Sequence, residues 1–217
     1  MVYRCSPFFI ILFLFTLFVF QGKVNAQERF EFSVFPGYHV INSDKISTDQ
    51  NRSQSDWVFG GSLAARFRLN NIPLEYSIGY SYGKSTVHEE NYSIGFDPTY
   101  SVDLRYRTLP QEIFWVNSIS DRFELLAGIN LTVQDRTLMY SNLDIENDRL
   151  FSMGIGLSGK IHMVLNTFSS GNGTVFLNLA ARWTEFLYHD AKNRDLSDFT
   201  LRHVTLSPQI GISYTIN

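Results

Sequence analysis

The strongest constraint in this sequence is a two-residue rhythm that returns in eight separate segments. In the last of them, residues 204–217, Val204, Leu206, Ile210, Ile212, Tyr214 and Ile216 fall on one parity, with Pro208 the only interruption. Thr205, Ser207, Gln209, Gly211, Ser213 and Thr215 fall on the other. Side chains alternate across a strand, so such a segment has one apolar face and one small, polar face. The same division runs through Phe30, Phe32, Val34, Tyr38 and Val40 against Glu31, Ser33, Gly37 and His39. It is clearest where Leu74, Tyr76, Ile78, Tyr80 and Tyr82 stand against Glu75, Ser77, Gly79, Ser81 and Gly83. The other segments begin near Trp57, Tyr100, Phe123, Phe151 and Val175. The fourth keeps Tyr100, Val102, Leu104 and Tyr106 on its apolar side and Arg105 and Arg107 on the other, then loses its parity beyond Pro110. A bulge at that proline would explain the loss, since proline cannot donate to a ladder.

The connections also alternate. Long polar stretches at 42–55, 84–99, 135–149 and 189–198 take turns with short ones at 70–73, 117–121 and 166–173. Short turns of Asn, Gly and Pro join antiparallel neighbours directly. The expectation is all-β: an eight-stranded antiparallel up-and-down β-barrel with both ends of the chain on the short-turn side.

Residues 1–26 stand outside this pattern. Arg4 precedes an apolar run at 7–20, and Val24, Asn25 and Ala26 supply small residues of the kind cut by signal peptidase. The expectation is a cleaved signal peptide at 1–26 and one barrel domain at 27–217. Cys5 is the only cysteine and would leave with the signal, so neither a disulfide framework nor thiol chemistry is expected. Eighteen Lys and Arg face 21 Asp and Glu with no basic cluster, which argues against nucleic acid as a partner.

Volume decides which face of the barrel points inwards. Eight strands enclose a lumen just wide enough for side chains to fill. Phe30, Phe32, Tyr38, Trp57, Phe59, Phe67, Tyr76, Tyr80, Tyr82, Tyr100, Tyr106 and Trp183 would overfill it, whereas the Gly, Ser, Ala and Asn of the opposite face fit. The bulky face must look outwards, as an apolar band that only lipid would solvate. The barrel is therefore expected to span a membrane.

The inward face then carries Glu31, Glu75 and Glu124 together with Arg66, Arg68, Arg105, Arg107, Lys160 and Arg182. In so narrow a space these are expected to form a buried salt-bridge network rather than an ion path. Glu31, Glu75 and Glu124 lie near the short-turn end, at a depth similar to Arg66, Arg68 and Lys160, so a plug is expected there.

Other chemical patterns are weaker. His88-Glu89-Glu90-Asn91-Tyr92 begins like a zinc-protease helix but lacks the second histidine. Residues 144–148 offer oxygens for calcium but lack the glycine and closing glutamate of an EF-hand. His203 and Ser207 are similar to part of the triad of outer-membrane lipid A deacylases. In that family the serine stands two residues after the histidine, where this chain has Thr205. No cofactor, metal or enzymatic activity is expected.

Two stretches resemble known families. Gln209, Gly211, Tyr214 and Ile216 resemble the C-terminal targeting strand of bacterial outer-membrane β-barrels, although here Thr215, Ile216 and Asn217 follow the aromatic. Residues 106–113, Y-R-T-L-P-Q-E-I, resemble the Y-L-x-I-P-L segment of the Bacteroidetes-type outer-membrane β-barrel domain. The resemblance implies a bacterial outer-membrane location, contact with lipid and lipopolysaccharide, and insertion by the barrel-assembly machinery. Fold does not give function. The expected role is structural or surface-binding, with an extracellular ligand held through the loops. A narrow conduit for small solutes and a lipid-modifying enzyme stand as alternatives.

Overall fold

A computed structural model describes residues 28–44, 52–89, 100–140, 148–168, 172–191 and 200–216. The signal-peptide expectation at 1–26 and the centres of the four long loops lie outside the described residues. Eight strands follow in order: β1 (Glu28–Asp44), β2 (Arg52–Leu69), β3 (Ile72–Glu89), β4 (Tyr100–Ser120), β5 (Phe123–Tyr140), β6 (Asp148–Thr167), β7 (Gly173–Ala191) and β8 (Thr200–Ile216). Each pairs antiparallel with its chain neighbour, and β8 pairs with β1 to close the barrel. The β2–β3 turn places Asn70 and Asn71 at φ 51° and 69°. Two successive positive φ values make the twist of a tight hairpin, and Asn tolerates that region better than most residues.

The register fixes the geometry. A path across the ladders from Val40 runs through Val204, Trp183, Leu157, Ile129, Ile113, Tyr76 and Ala65, and returns to β1 at Phe30. That ten-residue offset tilts the strands by roughly 43° to the barrel axis. Phe30 to Val40 then rises about 24 Å, the height of a membrane barrel's apolar band. Phe30, Phe67 and Tyr214 border the band at the short-turn end; Tyr38, Trp57, Tyr82 and Trp183 border it at the other, with Tyr38 and Trp57 edge to face at 5.6 Å. The strands continue past it, well into the stretches expected to be loops. They reach 17–21 residues, about twice what a bilayer requires.

Beyond the band the two faces exchange chemistry. The outward face turns to Lys84, Arg105, Arg107, Asp135, Arg149, Glu185 and Arg202, while Tyr106, Phe186 and Leu201 pack inside. Where hydrocarbon gives way to water outside the wall, charge belongs outside and the packed core within.

This exchange corrects the reading of the fourth segment. Arg105 and Arg107 are exposed on the outer face, and Tyr106 is fully buried in the lumen, not displayed to lipid. The lumenal row of β4 continues as Thr108, Pro110, Glu112, Phe114 and Val116 without a register change. Pro110 therefore makes no bulge, although the β3–β4 pairing lapses beside it, between Ile78↔Gln111 and Ser81↔Thr108. The β1–β8 pairing lapses likewise where Pro36 and Pro208 stand opposite each other, since neither can donate.

Five lumenal aromatics, Phe35, Tyr106, Phe114, Phe176 and Phe186, depart from the expected small-residue filling, and three of them have their space made on the adjacent strand. The rings of Phe35, Tyr106 and Phe176 lie over Gly60, Gly83 and Gly211, the residues directly paired with them. A Cβ at any of the three would overlap the ring. Phe114 instead packs against Val116 and Leu126.

Candidate functional site

The lumen is the candidate site, and its short-turn end is filled by charge. Arg66 on β2 is the hub. Its guanidinium reaches Glu31 on β1 at 3.1 Å, Glu75 on β3 at 2.8 Å, and Glu124 across the barrel on β5 at 2.5 Å. Lys160 on β6 crosses from the other side to the second oxygen of Glu75 at 2.5 Å, and its ammonium lies 4.7 Å from the centre of the Phe114 ring. Glu75 is wholly buried and shares its two oxygens between two cations. Arg29 completes the cluster, 3.2 Å from Glu31. Three carboxyl groups thus meet three basic side chains, so the formal charges of the cluster balance.

A hydrogen-bonded belt carries the network round to the closing seam. Arg29 donates to Nε2 of His162 at 2.8 Å, which leaves Nδ1 as the protonated nitrogen facing Asn178 Oδ1 at 2.7 Å. Asn178 donates to Gln209 Oε1, which also accepts from Ser33. Higher in the barrel a third cross-lumen tie joins Arg182 to Glu112 at 3.0 Å, with Ser158 donating to the same oxygen. Asn130, Thr132 and Thr184 hydrogen-bond above it. Every strand contributes a side chain to these ties.

Of the residues expected here, Glu31, Glu75, Glu124, Arg66, Lys160 and Arg182 are brought together. Arg68 is not: it keeps the lumenal parity but lies exposed on the rim beside the Asn70 turn, beyond the cluster. Arg105 and Arg107 belong to the outer wall, as described above. The sequence reading missed Arg29, which precedes the first apolar residue, and Glu112, hidden in the stretch where parity was lost. His162 joins the network from the lumenal face of β6.

The long-loop end holds another group that the sequence reading missed. Arg136 continues the inward row Glu124–Gln134 of β5 by one more residue pair, within what was expected to be a loop. It is 2% exposed, among Gln134, Tyr106, His203 and Phe186 at the same level of the barrel. A bulge in β7 turns both Leu187 and Tyr188 outwards and so redirects His189 into the lumen, where Nδ1 meets Ser152 at 2.8 Å.

The terminal strand has structural work of its own. Gln209 is buried in the belt, Gly211 seats Phe176, and Tyr214 and Ile216 face outwards, with Tyr214 paired to Phe30 across the closing seam. His203 and Ser207 do not form a catalytic pair. His203 packs on Tyr106 and Phe186, Ser207 accepts from Gln209, and four residues of strand separate them by about 13 Å. Residues 90–92 and 144–147 of the two metal-like patterns lie outside the described residues.

A closed ring of eight antiparallel strands with an apolar outer band, aromatic borders and a polar, tied lumen defines a transmembrane β-barrel of the small outer-membrane type. Solved structures with this architecture include a major outer-membrane protein of Thermus thermophilus (14% identity over 88% of this chain and all of that one, TM-score 0.52). Neisserial surface protein A matches at 16% identity over 85% and 97%, TM-score 0.49. Ail of Yersinia pestis, solved in complex with the heparin analogue sucrose octasulfate, matches at 10% over 87% and 100%, TM-score 0.49. These likenesses concern the fold. No family model matches the chain, and no curated protein matches it.

Proposed function

We propose that this chain is an integral outer-membrane protein of a diderm bacterium, similar to the Bacteroidetes-type outer-membrane β-barrel domain. Its signal peptide is removed after Ala26, and the barrel-assembly machinery inserts it with the long-loop end outside the cell. In this reading it is a non-enzymatic structural or surface-binding protein, surrounded by lipid and lipopolysaccharide, that meets its ligands through the projecting end.

The observation that carries the reading is the Arg66 cluster. Arg66 to Glu124 and Lys160 to Glu75 cross the lumen within one layer, with Arg182 to Glu112 above them. Breaking such a layer to admit solutes would expose buried charges without partners, at about 3–5 kcal/mol for each broken pair. The expectation is a barrel that does not conduct. Purified protein in a planar bilayer should give no steady current at moderate voltage. A stable open-pore current in the wild type would overturn this reading and make the barrel a narrow conduit.

A further inference from the structure

Arg136 differs from the other lumenal arginines in what it touches. Arg29, Arg66 and Arg182 each contact a glutamate. On Arg136 the Nε and Nη2 atoms are buried and have no hydrogen-bond partner, and no ion pair involving it occurs among the described residues. Those two atoms form the edge of a guanidinium that grips a carboxylate side-on through two parallel hydrogen bonds. The same barrel shows that edge in use. On the outer wall, Arg149 donates from Nε to Asp135 Oδ1 and from Nη2 to Asp135 Oδ2, both at 2.8 Å.

A buried cation with that edge unused is costly, and such a group is retained where something completes it. Its position narrows what that can be. Arg136 lies above the apolar band, at the long-loop mouth, with the Arg66 cluster closing the far end. It sits on a strand, held by its neighbours, rather than on a loop. Phe186 and Leu201 at the same level keep the surroundings poor in water, which strengthens a charge-assisted bond to an incoming anion.

We propose that Arg136 is the base of an oxyanion-binding site, at the long-loop end of the lumen, that takes a carboxylate or a group of similar shape from an acidic ligand. The Nε–Nη2 edge makes the bidentate contact, and the narrow lumen restricts access to a slender acidic terminus. The proposal rests on the surface-binding reading only in placing this mouth outside the cell. Anion binding by the purified barrel is measured independently of conductance, so either idea can fail without the other.

The test is thermal unfolding of the folded barrel in detergent, with sodium acetate, sulfate or phosphate exchanged for chloride at constant ionic strength. The wild type should gain about 2–4 °C at several times the Kd of the preferred anion. Acetate acting alone would assign a carboxylate, and sulfate or phosphate acting alone a tetrahedral oxyanion. Arg136→Met should abolish the gain, whereas Arg149→Met, whose guanidinium is already occupied, should keep it. If Arg136→Met fails to fold, Arg136→Lys retains the charge without the fork and should weaken the response about tenfold. In the wild type, the Nε–H resonance of Arg136 should move on titration with the active anion. An equal salt response in wild type and Arg136→Met overturns the proposal. So does an Arg136→Met barrel that is less stable in chloride while the wild type ignores every anion, because a carboxylate of the chain itself would then hold Arg136.

Discussion

Replacing Arg66 tests whether the short-turn end is held as a balanced cluster or as a collection of independent pairs. In Arg66→Leu three glutamates lose a contact at once, and three carboxylates are left with Arg29 and Lys160. Arg66 and Glu124 are only 11% and 15% exposed, so water does little to compensate. Loss of one partner from such a cluster should cost about 3–5 kcal/mol. The rescuing second change is dictated by the geometry. Glu75 is a poor choice, because it also holds Lys160, and removing it would strand that ammonium. Glu124 has Arg66 as its one close cation, with Ser118 donating at 3.4 Å and His162 further off at 3.8 Å. Arg66→Leu with Glu124→Leu leaves Arg29–Glu31 and Lys160–Glu75 as two intact pairs, and replaces one ion pair by apolar volume. That double variant should lie within about 0–2 kcal/mol of wild type, so the second change restores most of what the first one loses. Urea unfolding of the purified barrel, followed by its heat-modifiable gel migration, gives both values. A single variant that loses less than about 1 kcal/mol, or a double variant no better than the single, would refute the cluster argument.

Two further predictions concern the closing strand and the orientation. Gly211→Ala should destabilise the barrel by about 1–3 kcal/mol in the same assay, because the new Cβ meets the Phe176 ring and the Phe32 carbonyl; an unchanged midpoint would mean the ring is not seated there. A cysteine at Ser47 or Asn142, in the long loops, should label with an impermeant maleimide on whole cells, while one at Asn71 should not; equal labelling at all three sites would sink the orientation.

Alternation along the chain was enough to determine eight strands, their order, the short turns and the inward face of most of them. That information is local, because a strand's two faces are written every second residue and a hairpin turn needs its own residue types. It also determined that Glu31, Glu75, Glu124, Arg66, Lys160 and Arg182 point inwards. Which of them meet is a matter of depth, and depth follows from the ten-residue offset accumulated around the closed ring, which no single segment records. Only the closed barrel could set Arg66 against Glu124, three strands away, and add Arg29 and Glu112. Local reasoning also assumed that one rule for inside and outside holds along a whole strand. The strands outrun the membrane, so the rule reverses partway up β4 as the outer solvent changes from lipid to water. That reversal puts Tyr106 inside over Gly83 and sends Arg105 and Arg107 out; Arg136 was missed because it falls in the stretch expected to be a loop, although it continues the inward row of β5.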